Sequence, residues 1–175
     1  MITMGSKAPD FSLQGIHRGK VAEYSLKSFS GKWLVLFFYP ADFTFICPTE
    51  VTGFGKLAGE FRAESAEVLG ASVDAIETHR SWIDELGGVD YPLLSDAEKK
   101  MSRDYGVLID KEGVSARATF ILNPAREVNY LTVSHMNVGR SVEETLRVLK
   151  ALRTGRLCPA DWRPGEDTGE LNLKY

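Results

Sequence analysis

Cys47 and Cys158 are the only cysteines among 175 residues. With three histidines, they are the side chains best suited to nucleophilic or redox chemistry. The most informative stretch surrounds the first: Phe38-Tyr-Pro-Ala-Asp-Phe-Thr-Phe-Ile-Cys-Pro-Thr-Glu50. Pro48 suits the first turn of a helix, where its missing N–H costs nothing. Cys47 is therefore expected at a helix N-terminus. Unpaired amide N–H groups and the positive end of the helix dipole favour a thiolate there. A buried structural cysteine is the alternative. A thiolate so placed suits attack on a disulfide, an acyl group or a peroxide. Dithiol Cys-x-x-Cys chemistry needs a second cysteine at position 50, and that residue is Glu50. A cysteine hydrolase needs a histidine base. His17, His79 and His135 carry no distinguishing neighbours and read as surface or core-edge residues. Three histidines and two scattered cysteines show no zinc-ligand spacing.

The elements that must position these residues follow from the apolar pattern. Trp33 to Tyr39 is apolar throughout, as in a strand covered by helices on both faces, and Pro40 ends it. From Pro48 to Ala63, Val51, Phe54, Leu57, Ala58 and Phe61 recur at helical steps, although Gly53, Gly55 and Gly59 weaken the helix. Phe11–Gly15 and Ala22–Leu26 read as strands around a turn at His17–Lys20. Val68–Val73 reads as a second buried strand. Helices are expected over Glu77–Leu86 and Ala97–Tyr105, with Tyr91–Leu94 a short segment between them. Ala118–Leu122 and Val128–Val133 flank Asn123-Pro124 as a hairpin. Val142, Thr145, Leu146, Leu149 and Leu152 mark a last helix capped by Ser141. The pattern predicts one α/β domain with a mixed central sheet flanked by helices over 1–155, then an irregular C-terminal tail over 156–175. Arg147, Lys150, Arg153 and Arg156, at three-residue steps, read as a solvated basic face. Phe43, Phe45 and Trp82 fit the site, a subunit edge or the core.

Composition narrows the classes. With 43% hydrophobic and 26% charged residues the chain is globular rather than disordered. A net charge of −3 disfavours nucleic acid and anionic membrane as partners. No apolar run approaches the ~18 residues of a membrane span. The first residues lack a signal-peptide pattern, so the expected location is cytoplasmic.

Pro40-x-x-x-Thr44-x-x-Cys47, continued by Cys47-Pro-Thr-Glu50, resembles the active-site motif of peroxiredoxins. Three further blocks follow in family order. Arg117-Ala-Thr-Phe-Ile-Leu is similar to the catalytic-arginine strand, and Gly139-Arg-Ser-Val-Glu-Glu to the start of the last helix. Leu157-Cys-Pro-Ala-Asp-Trp-Arg-Pro-Gly-Glu resembles the resolving-cysteine tail of typical two-cysteine members. The resemblance spans Ala8 to Glu166 and points to the alkyl hydroperoxide reductase C-type subfamily.

It implies a thioredoxin-like fold with an N-terminal extension, and a peroxidase acting on hydrogen peroxide and organic hydroperoxides without cofactor or metal. Cys47 is then the peroxidatic thiolate that becomes a sulfenic acid. Arg117 lowers its pKa and holds the peroxide oxygens. Thr44 orients the peroxide and Pro40 shields the sulfur. Glu50 fixes Arg117, with Arg140 joining that network. Taken singly, Arg117 also fits an ordinary strand arginine, Thr44 a helix cap, and Glu50 a dipole partner. Cys158 is the implied resolving cysteine of the neighbouring subunit, in a homodimer or a ring of dimers. The implied reductant is a thioredoxin-like protein, a flavoprotein or another dithiol protein. Two departures from oxidation-sensitive members stand out. Only Gly87-Gly88 stands where those have Gly-Gly-Leu-Gly, and the tail past Cys158 is short and lacks their Tyr-Phe helix. These imply fast disulfide formation and resistance to overoxidation. Two further readings are a holdase or redox relay and a disulfide oxidoreductase on the same fold.

Overall fold

The computed structural model describes residues 2–171, so Met1 and 172–175, the outer ends of the two expected segments, lie outside the described residues. Two strands, β1 (Ser12–His17) and β2 (Lys20–Ser25), form a hairpin around Arg18-Gly19, and a 3-10 turn over Leu26–Phe29 leads to β3 (Trp33–Phe38). Then come α1 (Cys47–Ala63), β4 (Ala66–Ser72), α2 (Ile76–Glu85), β5 (Leu93–Ser95) and α3 (Lys100–Asp104). A small hairpin, β6 (Leu108–Ile109) and β7 (Val114–Ser115), precedes the long hairpin β8 (Arg117–Leu122) and β9 (Val128–Ser134), and α4 (Val142–Thr154) follows.

One mixed sheet holds seven strands in the order β2-β1-β5-β4-β3-β8-β9. β3 lies parallel to β4 and antiparallel to β8, which makes it a central strand. Its side chains alternate between two cores. Val35 and Phe37 pack with Val51, Phe54, Trp82, Leu146 and Leu149 from α1, α2 and α4. Leu34, Leu36 and Phe38 pack with Leu69, Met101, Tyr105 and Phe120 on the other face. Burial on both faces explains why the strand reads as an unbroken apolar run.

α1 keeps its helical form despite three glycines because one face is buried. Cys47, Glu50, Val51, Phe54, Ala58 and Phe61 repeat at three- and four-residue steps along it. Gly53 has a packing reason as well: a Cβ there would meet Val142 Cγ2 of α4 at 3.1 Å.

Three expectations need correction. The helix expected over Ala97–Tyr105 is only Lys100–Asp104. Lys99 adopts a left-handed backbone (φ 59), and the Asp96 carboxylate accepts from the amides of Met101 and Ser102, so the segment turns before it winds. On the basic face of α4, Arg147, Lys150 and Arg153 form surface ion pairs, while Arg156 is exposed as expected. Lys150 pairs with Glu60, Arg153 with Glu64, and Arg147 with Glu144. The first two pairs stitch α4 to α1. His79, read as a surface or core-edge residue, is fully buried. It shares the inner face of α2 with Trp82 and Ile83.

Candidate active site

β3 delivers the chain to the site at its C-terminal end. Pro40 is buried, and the link from Ala41 to Ile46 turns into α1, whose first residue is Cys47 with Pro48 behind it. The N-cap residue, Ile46, supplies no side-chain hydrogen bond. The first-turn N–H groups of α1 therefore have no side-chain cap at the end where Cys47 sits. The Cys47 side chain is buried. β8 pairs Ala118 with Phe38, so Arg117 enters beside the end of β3. The register of two antiparallel strands thus sets the arginine against the cysteine.

Arg117 Nη1 donates to Cys47 Sγ at 3.4 Å and to Glu50 Oε2 at 2.8 Å, while its Nε donates to the Met136 carbonyl at 2.8 Å. The guanidinium is thus held at two points with one N–H aimed at sulfur. Glu50, one helical turn after Cys47, is also held by Arg140. The Arg140 backbone N–H and Nε donate to Oε1, each at 2.8 Å, and Nη2 donates to Oε2 at 3.0 Å. Arg140 itself is anchored by Nη1 to the Ala118 carbonyl at 2.6 Å and lies over the Phe37 ring. Gly139 permits this approach, since a Cβ there would meet Ile46 Cγ2 at 3.2 Å.

The Arg117, Glu50 and Arg140 side chains are at most 5% exposed. Burial alone pushes the Glu50 carboxyl up. The hydrogen bonds and charge of Arg140, with the charge of Arg117, outweigh it and hold the carboxyl below its ordinary range. Two guanidinium groups and one carboxylate leave one positive charge beside the sulfur.

The loop leading to Cys47 is anchored by Tyr39, Asp42, Asp74 and His79. Asp42 accepts from the Tyr39 hydroxyl at 2.9 Å and lies 2.7 Å from His79 Nδ1, and its backbone N–H donates to Asp74 Oδ2 at 3.0 Å. His79 Nε2 faces the Leu94 carbonyl at 3.1 Å. Burial, then the Asp42 charge, raises the Tyr39 hydroxyl well above its ordinary pKa, so it stays a donor. The available signal was the spacing of His79, Trp82 and Ile83 on one helix face, which placed the imidazole inside.

The structure brings Cys47, Arg117, Glu50 and Arg140 together, with Pro40 buried at the start of the loop. Thr44 is on the exposed side of that loop. Its hydroxyl donates to the Ala41 carbonyl at 3.2 Å instead of capping α1. Cys158 lies elsewhere. Its sulfur is 3.4 Å from the Thr154 hydroxyl and 3.8 Å from the Ala151 carbonyl, at the C-terminal end of α4. Both cysteines are free thiols. α4 runs alongside α1 in the same direction, with Val142 against Gly53 and Arg153 against Glu64. Cys158 is therefore near the far end of α1, a helix of 17 residues. At ~1.5 Å rise per residue, the two cysteines of one chain are roughly 25 Å apart.

Comparison with known proteins shows the family and the fold. The AhpC/TSA family model matches residues 4–131. YkuU of Bacillus subtilis strain 168, itself provisionally named a peroxiredoxin, is 49% identical over 176 residues, covering 94% of this chain and 97% of that protein. The reduced 2-Cys peroxiredoxin of Plasmodium vivax superposes with a TM-score of 0.90 at 37% identity, covering 94% of this chain and 91% of that one. AhpC of Mycobacterium tuberculosis superposes with a TM-score of 0.83 at 35% identity, covering 93% and 99%. With its thioredoxin-like fold and a buried cysteine under an arginine, the chain belongs to the AhpC/TSA family of peroxiredoxins, the thiol-dependent peroxidases.

Proposed function

We propose that Cys47 is the peroxidatic nucleophile of a peroxidase that reduces hydrogen peroxide and organic hydroperoxides. The observation that carries this reading is the Arg117 N–H aimed at Cys47 Sγ, with Glu50 and Arg140 behind it. The thiolate attacks the terminal peroxide oxygen. The S–O bond forms as the O–O bond breaks, the sulfur becomes a sulfenic acid, and water or an alcohol leaves with a proton. A thiolate neutralises the surplus positive charge of the buried cluster. As the O–O bond lengthens, charge grows on the leaving oxygen. A fixed guanidinium stabilises that charge more in the transition state than in the ground state. Pro40 shields the sulfur from water. Thr44 orients the peroxide once its hydroxyl turns from the Ala41 carbonyl toward the substrate.

Cys158 is the proposed resolving cysteine, acting from a second copy of the chain. A disulfide needs Cα atoms within ~7 Å, which the separation along α1 forbids inside one subunit. A second copy also suits the surface. β9 is an edge strand without charge or proline; past Val128, whose backbone pairs with Gly5 and Ser6, its outer edge is available to pair with another edge. Phe45 is 94% exposed in the loop before Cys47, an apolar surface suited to contact between dimers in a ring. Segment 1–155 is then the catalytic unit and 156–175 the tail that carries the resolving thiol to a neighbour. A thioredoxin-like protein, flavoprotein or other dithiol protein would reduce the disulfide. That need for re-reduction at every turnover suits the cytoplasm. No helix among the described residues is long and apolar enough to cross a membrane.

The test is a non-reducing gel after one equivalent of peroxide. The wild type should run as a covalent dimer, and Cys158→Ser as a monomer. A wild type that stays monomeric contradicts the cross-subunit model.

A further inference from the structure

The tail after α4 is a built loop, and this bears on how Cys158 is presented. The Leu157 N–H donates to the Gly169 carbonyl at 3.0 Å and the Gly169 N–H donates back at 2.8 Å, closing the segment between them at its neck. Loops of this length with touching ends pack on their own side chains. Here the packed side chain is Trp162, 5% exposed, whose Nε1 donates to the Glu166 carbonyl at 3.1 Å. Cys158 is the first residue inside the neck.

Among the described residues, hydrogen bonds tie this loop to α4 in two places. One is the Cys158 thiol itself, against Thr154 and Ala151. The other is Arg147. Glu144 takes the Arg147 fork from below, with Nε to Oε2 at 2.6 Å and Nη2 to Oε1 at 2.8 Å. That leaves Nη1 aimed at the loop, where it donates to the Trp162 carbonyl at 3.0 Å. A planar fork held on two sides has a fixed direction, which a lysine in its place would lack.

We propose that Arg147 is a positioning residue for the resolving step: by clamping the Trp162 carbonyl it keeps the closed loop, and Cys158 with it, docked on α4. This rests on the reading of Cys158 as the resolving cysteine and adds what restrains it. To reach a sulfur on another subunit, Cys158 must leave Thr154 and Ala151. While the neck is closed, it moves only if the whole loop swings. Arg147 opposes that swing, and its release leaves the loop tethered by the chain at Gly155, where a left-handed backbone (φ 62) ends α4. The clamp therefore slows disulfide formation and leaves the peroxide reaction untouched, since Arg147 is far along α4 from Cys47.

The experiment separates the two steps. In wild type, Arg147→Ala and Arg153→Ala, stopped-flow mixing with hydrogen peroxide gives the oxidation rate of Cys47, and quenched samples give the rate of disulfide formation. In a Cys47→Ser background, the same two substitutions are tested for alkylation of Cys158 by N-ethylmaleimide. Losing one charge-assisted hydrogen bond at a half-buried site should speed both alkylation and disulfide formation roughly fivefold to tenfold in Arg147→Ala. The peroxide step should stay within about twofold, as expected for distant sites. Arg153→Ala removes the same charge from the same helix without touching the loop, and should match wild type in all three rates. A wild type that forms the disulfide, with Arg147→Ala no faster in alkylation or in disulfide formation, overturns the clamp alone. Faster alkylation without faster disulfide formation overturns the role in catalysis. A wild type that forms no disulfide overturns the role given to Cys158, and the clamp's role in catalysis with it.

Discussion

Arg117→Ala is expected to slow the reaction of Cys47 with hydrogen peroxide by about two to three orders of magnitude, the usual cost of removing one donor aimed at developing charge in a buried site. Three contacts make this donor hard to replace. Met136 and Glu50 fix the guanidinium plane, and the remaining Nη1 hydrogen points at sulfur from 3.4 Å. Water entering the space left by an alanine would reorient during the reaction, whereas the guanidinium is already in place. Arg117→Lys keeps the charge and loses the fork, so it should recover only part of the rate. The measurement is the second-order rate constant under single-turnover conditions. An Arg117→Ala rate within tenfold of wild type would mean that the arginine is a strand residue with a structural task only.

The second large effect concerns stability. Glu50→Gln keeps the shape of the side chain and removes the carboxylate charge that bridges Arg117 and Arg140, both nearly inaccessible to water. Breaking a buried ion pair by neutralising one partner costs about 3–5 kcal/mol, because the other charge stays buried without compensation. For a chain of this size that is roughly a 10 °C drop in Tm. The pH dependence carries a sign. The folded-state carboxyl of Glu50 is held below its ordinary range, so its contribution is complete above the unfolded-state value, near ~4.3. It is lost as pH falls through the lower folded-state value. Wild type should therefore lose stability on acidification below about pH 4, and the difference between wild type and Glu50→Gln should shrink over the same range. Urea denaturation from pH 7 downward measures both. A constant difference across that range would show that Glu50 does not act through its charge.

Much of this arrangement was legible because it is local. Pro48 marked the start of α1, and a three-residue step put Glu50 on the same helix face as Cys47. The apolar run of β3 announced a strand covered on both faces. What escaped the sequence depends on partners far along the chain. Lys150 and Arg153 of α4 looked solvated because their partners, Glu60 and Glu64, lie about ninety positions away. His79 looked peripheral because the carboxylate that faces it, Asp42, comes from the loop after β3. Arg140 gives Glu50 more hydrogen bonds than Arg117 does, which depends on how the segment after β9 returns over α1. α3 is shorter than its pattern because Asp96 competes for the first amides. Thr44 matched its motif in sequence, yet its hydroxyl is turned to Ala41 in the structure.

The central claim is that Cys47 is an activated nucleophile for peroxide. Stopped-flow mixing of the reduced protein with hydrogen peroxide tests it most directly, with free cysteine and Cys47→Ser alongside. Wild type should react several orders of magnitude faster than the free thiol, in keeping with the rate enhancements of enzymes. Cys47→Ser should show no fast phase while Cys158 is still present. A wild-type rate equal to that of free cysteine, or a fast phase that survives in Cys47→Ser, would contradict the account.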